Sequence, residues 1–178
     1  NFFHDYFETI TGSLDGIDPE ALQRAVEMVR HTHGSGNKVI LVGNGGSAAM
    51  ASHVAVDLTK TAGIRAINFN EADLLTCFAN DYGYENWVVK ALEFYADPGD
   101  LAVLISSSGA SQNIINGAEK ANAMGLAVIS LSGFSPDNPL RRLGELNLWT
   151  ASDSYNIVEM THHIWLLAIV DHLIESDS

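Results

Sequence analysis

The chain has 178 residues, of which 47% are hydrophobic and 17% charged, and its formal net charge is −13. That length suits one sizeable domain, and so low a charged fraction fits a protein that buries much of its surface, partly against copies of itself. The negative charge argues against direct nucleic-acid binding, and a single cysteine, Cys77, excludes a disulfide framework and fits a reducing compartment.

Two helical segments lead the chain, near Phe2–Thr11 and Pro19–His33. The first, with Phe2, Phe3, Tyr6 and Phe7, is too aromatic to face water. It packs either on its own domain or on a neighbouring subunit. Lys38–Val42 then reads as a strand buried on both faces, and so do Ala66–Phe69, Leu101–Ile105, Ala127–Leu131 and Leu146–Trp149. Each is short and apolar and is bounded by Gly, Asp, Asn or Ser. Between them lie helix-like segments at Ser47–Lys60, Glu71–Ala79, Tyr84–Tyr95 and Ser111–Ala123. A long helix near Tyr155–Ile174 follows, with a solvated end at Glu175–Ser178. Alternation of this kind implies a parallel sheet covered on both sides by helices. No apolar run reaches the ~20 residues of a membrane span, and no signal peptide is read after Asn1. Trp87, Trp149, Trp165, Tyr82, Tyr84 and Tyr95 read as core or subunit contacts, and Arg141-Arg142 as a surface turn after Pro139.

Two loops carry the chemistry. Gly43-Asn44-Gly45-Gly46-Ser47 follows a strand and opens a helix, so glycine lets the backbone approach a ligand and the helix end offers unpaired N–H groups to an anion. It lacks the third glycine of a dinucleotide fingerprint and has no Walker lysine. A plain tight turn would also fit. The second loop sits between the next long strand and its helix and places Ser106, Ser107, Ser108 and Ser111 around Gly109. Ser111 alone could be an N-cap, but one cap does not require four serines. Both loops fall at carboxyl ends of parallel strands, where such sheets bind ligands.

His53 and Asp57 are four apart on the helix after the first loop and so share a face. An imidazole beside a carboxylate, next to a phosphate holder, can serve as an acid–base pair on a phosphorylated small molecule, although alone the pair reads as a local surface contact.

Gly43-Asn-Gly-Gly-Ser-Ala-Ala, Phe78-Ala-Asn-Asp81 and Ile105-Ser-Ser-Ser-Gly-Ala-Ser111 resemble the motifs of the sugar isomerase (SIS) domain family, and more narrowly its phosphoheptose isomerase branch. The resemblance covers nearly the whole chain. It implies a single SIS domain over 1–178, with N-terminal helices over 1–36, an α/β core over 37–150 and a C-terminal helix over 151–178. The implied fold is a five-stranded parallel sheet flanked by helices on both faces, a flavodoxin-like sandwich whose leading and trailing helices serve oligomerisation. It also implies a homotetramer with sites shared between subunits.

By the same resemblance Ser106, Ser108 and Ser111 hold the phosphate, with Ser107 nearby. Asn44, Gly45 and Ser47 contact the sugar, and Asp81 binds a hydroxyl from across a subunit boundary. Without the family, Asp81 reads as a turn carboxylate. His53 matches a metal-binding His. Asp57 matches a Glu that acts as base, one methylene longer than Asp. Glu159 and His162 match a Gln and a His of the last helix, but the expected catalytic His falls at Leu167. His163 is offered here as its replacement, giving a His53–Asp57–Glu159–His163 set suited to zinc or a similar divalent ion. One of His162 and His163 should be a core residue, since neighbours on a helix point about 100° apart.

The expected function is a cytoplasmic ketose–aldose isomerase acting on a phosphorylated sugar, sedoheptulose 7-phosphate, and feeding surface-polysaccharide precursors. The alternatives are a non-catalytic phosphosugar regulator, a protein-binding adaptor of the initiator-associating type, or an isomerase of another phosphosugar.

Overall fold

The computed structural model describes residues 1–176. Five strands form one parallel sheet in the order β2-β1-β3-β4-β5: β1 (Val39–Val42), β2 (Ala66–Asn68), β3 (Leu101–Ser106), β4 (Ala127–Ser132) and β5 (Leu146–Trp149). The helices are α1 (Phe2–Leu14), α2 (Pro19–Gly34), α3 (Gly46–Lys60), α4 (Ala72–Tyr82), α5 (Trp87–Tyr95), α6 (Gln112–Ala123) and α7 (Tyr155–Ser176). All five expected strands are present. The expected helix Tyr84–Tyr95 is split, because a 3₁₀ turn at Tyr84–Asn86 precedes α5.

Strand side chains alternate between two cores. Val39, Leu41, Val103 and Ile105 face one way, into a cluster with Val26, Val54, Trp165 and Ile169 from α2, α3 and α7. Ile40, Val42, Ala102 and Leu104 face the other, into a cluster with Trp87, Leu92, Ile114 and Ala118 from α5 and α6. Burial on both faces is why β1, β3 and β4 read as continuous apolar runs, whereas the edge strands β2 and β5, expected to be buried likewise, are covered only in part because each has a neighbour on one side alone.

α7 is the exception to the reading that no segment could span a membrane. By length and composition Tyr155–Glu175 would qualify, yet half of it is buried inside the domain. Ile157, Thr161, Trp165, Ile169 and Leu173 lie in its buried stripe. Glu159, His163 and Leu167, spaced by four, run along the half-buried edge beside it. At its end Glu175 is exposed, while Asp177 and Ser178 lie outside the described residues.

Three of the four aromatic residues of α1 do not pack on their own domain, Tyr6 being half-buried. Phe2, Phe3 and Phe7 are 73%, 67% and 63% exposed. The helix is tied down at its end instead, where the Trp165 indole N–H donates to the Leu14 carbonyl at 3.1 Å. Arg141 and Arg142 do form the expected short turn after Pro139, with the Arg141 guanidinium 4.5 Å from the Trp149 ring centre.

Candidate active site

The order 2-1-3-4-5 reverses direction between β1 and β3, and the crevice at that switch point is where ligands bind in open α/β sheets. The glycine loop leaves β1 and the serine loop leaves β3, so both reach this crevice. Asn44, Ser47, Ser106, Ser107, Ser108, Ser111, Tyr155 and Glu159, with Ile105, line a cavity of about 100 Å³ there. No Lys or Arg is among them. An anion in it would be held by hydroxyls and helix-end N–H groups.

The local geometry suits that task. α3 and α6 both begin at the cavity, and neither has a side-chain cap. Ser111 stands at the N-cap position of α6, but its hydroxyl accepts from Ser106 Oγ at 3.0 Å instead of capping the helix. The Ser107 hydroxyl is buried without a partner. Ser108 Oγ accepts from the Ala110 N–H at 3.2 Å. Helix ends without a side-chain cap, beside an unpaired buried hydroxyl, form a built-in anion seat.

Glycines make the close approaches possible. A Cβ on Gly43 would lie 2.6 Å from the Ser47 Cβ, and one on Gly46 would lie 2.3 Å from a carboxylate oxygen of Glu159. Glu159 therefore rests against the first turn of α3, where the helix dipole favours a carboxylate. Gly45 has φ +54, which a turn of this kind requires, but it lies outside the serine cavity and is exposed.

Asn44 is clamped. It exchanges two amide hydrogen bonds with Asn113, at 3.0 and 2.9 Å, and its Oδ1 also accepts from the Tyr84 hydroxyl at 3.0 Å. Tyr84 thus supports the site, and at 51% exposed it is not a core residue. Tyr155 was not foreseen at the cavity either. It is held by Phe134, whose ring centre is 4.8 Å away and whose backbone sits at φ +56. No local signal marks Asn113, Tyr84 or Tyr155, because the loops and helices that gather them are far apart in sequence.

The histidines of α7 separate as their 100° offset demands. His162 is fully buried and its Nε2–H donates to the Ser132 carbonyl at 3.0 Å. Burial pushes its pKa down to about 4, against a smaller upward pull from that carbonyl. His163 instead meets α3, its Nε2 lying 2.9 Å from His53 Nδ1 with the rings at 89°. His53 Nε2 in turn lies 3.3 Å from Asp57 Oδ2. Burial holds His163 below the ordinary imidazole pKa, and His53 lowers it further, while Asp57 pulls the other way.

This arrangement corrects the four-ligand metal set. Among the described residues, no group of three or more His, Cys, Asp or Glu side chains is placed to hold a metal ion. Glu159 faces the serine cavity, and the facing nitrogens of His53 and His163 are spent on one another. The residues do not fit the implied metal. Leu167, where the family's catalytic His was expected, is packed against the hydrophobic core. Asp81 does not reach the cavity of its own chain either. It is exposed at the end of α4, accepting from Asn80 Nδ2 at 2.9 Å and near Cys77 Sγ at 3.7 Å.

His162 carries a pH prediction. Its folded pKa lies below the unfolded 6.5, so the unfolded chain takes the proton first. Its contribution is full above pH 6.5 and is lost as pH falls toward about 4, a loss of about 3 kcal/mol. Urea unfolding across that window should show a slope in the wild type that His162→Gln flattens.

A family model described as SIS domain matches residues 5–133. The phosphoheptose isomerase of Helicobacter pylori is 32% identical over 170 residues, covering 92% of this chain and 88% of that protein. The phosphoheptose isomerase of Aliarcobacter butzleri is 34% identical over 177 residues, covering 96% and 92%. The structure of phosphoheptose isomerase GmhA from Neisseria gonorrhoeae superposes with a TM-score of 0.88 at 26% identity, covering 97% and 95%. Fold and site define an α/β domain with an anion-binding crevice at its switch point. The chain belongs to the SIS domain family, in its phosphoheptose isomerase branch.

Proposed function

We infer that this protein is a phosphosugar ketose–aldose isomerase that converts sedoheptulose 7-phosphate to D-glycero-D-manno-heptose 7-phosphate, a precursor for surface polysaccharides. The observation that carries the reading is the pairing of an uncapped, serine-lined anion seat with the row Asp57–His53–His163, in which the two imidazoles share a hydrogen bond and Asp57 lies 3.3 Å from His53. The phosphate sits among Ser106, Ser107, Ser108 and Ser111, on the N-termini of α3 and α6. Asn44, Ser47 and Glu159 meet the sugar hydroxyls, Glu159 as an acceptor.

α3 and α7 carry the acid–base groups away from that seat. His53 lies seven residues beyond Gly46, about 10 Å along α3, and His163 lies four beyond Glu159, about 6 Å along α7. A sugar anchored by its phosphate thus brings its far end to the imidazoles. The exposed aromatic face of α1 supports a homotetramer in which a neighbouring subunit supplies Asp81. The single exposed thiol of Cys77 supports a cytoplasmic setting.

Incubation with sedoheptulose 7-phosphate, followed by NMR, should show the aldose appear. No turnover would sink the reading. Ser111→Ala, which removes one hydroxyl from the phosphate seat, should raise KM about tenfold and leave kcat nearly unchanged. A second reading, a non-catalytic phosphosugar regulator, is favoured by Leu167 in place of a catalytic His. It predicts phosphosugar binding by calorimetry without turnover.

A further inference from the structure

We propose that Tyr155 is a specificity-determining residue. Its ring is the apolar wall at the mouth of the serine cavity, against which the carbon that carries the phosphate packs, and Phe134 is the positioning residue that holds the ring there. The proposal rests on the reading of that cavity as a phosphosugar seat.

The size of the cavity sets the problem. At about 100 Å³ it is well below the roughly 300–1,000 Å³ of pockets that enclose a whole small ligand. It takes the phosphate, and the carbon chain leaves through its mouth. Of the residues that line it, Tyr155 alone is exposed, at 59%, while the others are buried or half-buried. Tyr155 therefore stands at the mouth. Apart from the buried Ile105, the other lining side chains are hydroxyls, the Asn44 amide and the Glu159 carboxylate, which suit the oxygens of a ligand. The ring of Tyr155 is the large apolar surface left for its C–H groups.

One short turn fixes that ring. The Gly133 N–H donates to the Ser107 carbonyl at 2.8 Å and joins the turn to the serine loop. The Phe134 N–H donates to the Ser152 carbonyl at 2.8 Å and joins it to the segment that enters α7. The Phe134 ring then packs against Tyr155, with ring centres 4.8 Å apart and planes at 65°. Phe134 does this at φ +56, and among the described residues it is the one non-glycine residue at positive φ. That backbone is strained for a residue with a Cβ, whereas glycine adopts it freely. What phenylalanine adds at this position is its ring, and the ring meets Tyr155.

The path of the ligand agrees. Glu159 follows Tyr155 by four residues and so lies one turn further along the same edge of α7. A phosphate ester seated among the serines meets Tyr155 at its esterified carbon and Glu159 at its hydroxyls. Inorganic phosphate fills the seat but has no carbon to place against the ring.

The test uses the full chain and needs no turnover. Calorimetry would compare binding of sedoheptulose 7-phosphate with competition by inorganic phosphate. Tyr155→Ala should weaken the ester about tenfold or more and leave inorganic phosphate within about threefold of wild type. Tyr155→Phe, which keeps the ring, should bind the ester within about threefold of wild type. Phe134→Ala should also weaken the ester and spare inorganic phosphate. Phe134→Gly should do the same while melting no lower than Phe134→Ala, because glycine relieves the positive φ. The proposal is overturned by ester binding within about threefold of wild type in Tyr155→Ala. Equal losses for the ester and inorganic phosphate overturn it too, since they mark a merely structural role. So does a Tyr155→Phe as weak as Tyr155→Ala, which assigns the contact to the hydroxyl. A wild type that binds neither ligand overturns the phosphosugar seat and this proposal together. One that binds the ester without converting it overturns the isomerase reading alone, and the binding ratios still decide this proposal.

Discussion

His53→Ala is expected to lower kcat by about 100- to 10,000-fold, the range over which a positioned acid–base system contributes. His53 is the middle of the string: its Nε2 faces Asp57 and its Nδ1 faces His163, at 3.3 and 2.9 Å. Removing it leaves His163 without its ring partner at 2.9 Å and Asp57 without the imidazole beside it. The fold should tolerate the change, because His53 is exposed and stands beside the stripe of α3, including Met50, Val54 and Leu58, that enters the core. The melting temperature should therefore move by no more than a few degrees. Binding of the substrate should also persist, since the serine seat is built by other residues. Steady-state kinetics with calorimetry of phosphosugar binding would check both halves. A kcat within about tenfold of wild type would remove His53 from the chemistry.

Gly109→Ala is expected to have the largest effect on the seat itself. Gly109 has φ +65, and a Cβ there would come 2.0 Å from Asn138 Oδ1. Asn138 is 3% exposed and ties the end of β4 to the turn that follows Pro139. Its amide donates to Ser132 Oγ, the Gly133 carbonyl and the Ser135 carbonyl, and its Oδ1 accepts from the Arg141 N–H. The Gly109 carbonyl also accepts from Leu140 N at 3.1 Å. Neither Asn138 nor the serine loop can yield without breaking these bonds, so roughly 2–4 kcal/mol should be lost. Thermal unfolding should fall by about 5–15 °C, with KM for the phosphosugar raised. Gly125→Ala is the control. Its φ is +77 but no atom lies within 4 Å of the added Cβ, so it should lose only the backbone term of about 1–2 kcal/mol.

Much of the fold was legible because its signals are local. β1, β3 and β4 are buried on both faces, so their runs are apolar throughout, and the segments between them keep helical spacing. Both anion loops were legible for the same reason: strand, glycine or serine turn, and helix are consecutive in the chain. Boundaries drifted where a tertiary partner decided them. Gly83, at φ +85, ends α4 after Tyr82, and the 3₁₀ turn that follows brings Tyr84 to Asn44.

The aromatic segment of α1 shows a different limit. Its composition demanded cover, but composition does not say whose surface provides it, and in the single chain Phe2, Phe3 and Phe7 remain exposed. The metal set failed for a related reason. Helical spacing correctly put Glu159 and His163 on one edge of α7, and His53 and Asp57 on one edge of α3. Whether the two edges met as a shell or as a string depended on how the helices cross.

The sequence by itself determined a parallel α/β sandwich, the two loops at its switch point and the four candidate side chains of α3 and α7. Those follow from periodicity and from neighbours within a turn of one another. Only the tertiary structure decided that His162 belongs to the core and His163 to the site, that Glu159 rests on Gly46 beside the serines, and that His53 stands between Asp57 and His163. Such choices turn on distances of about an ångström between segments up to 113 residues apart (Gly46 and Glu159). They are fixed by packing α7 against α3 over a shared core, and no local pattern encodes them.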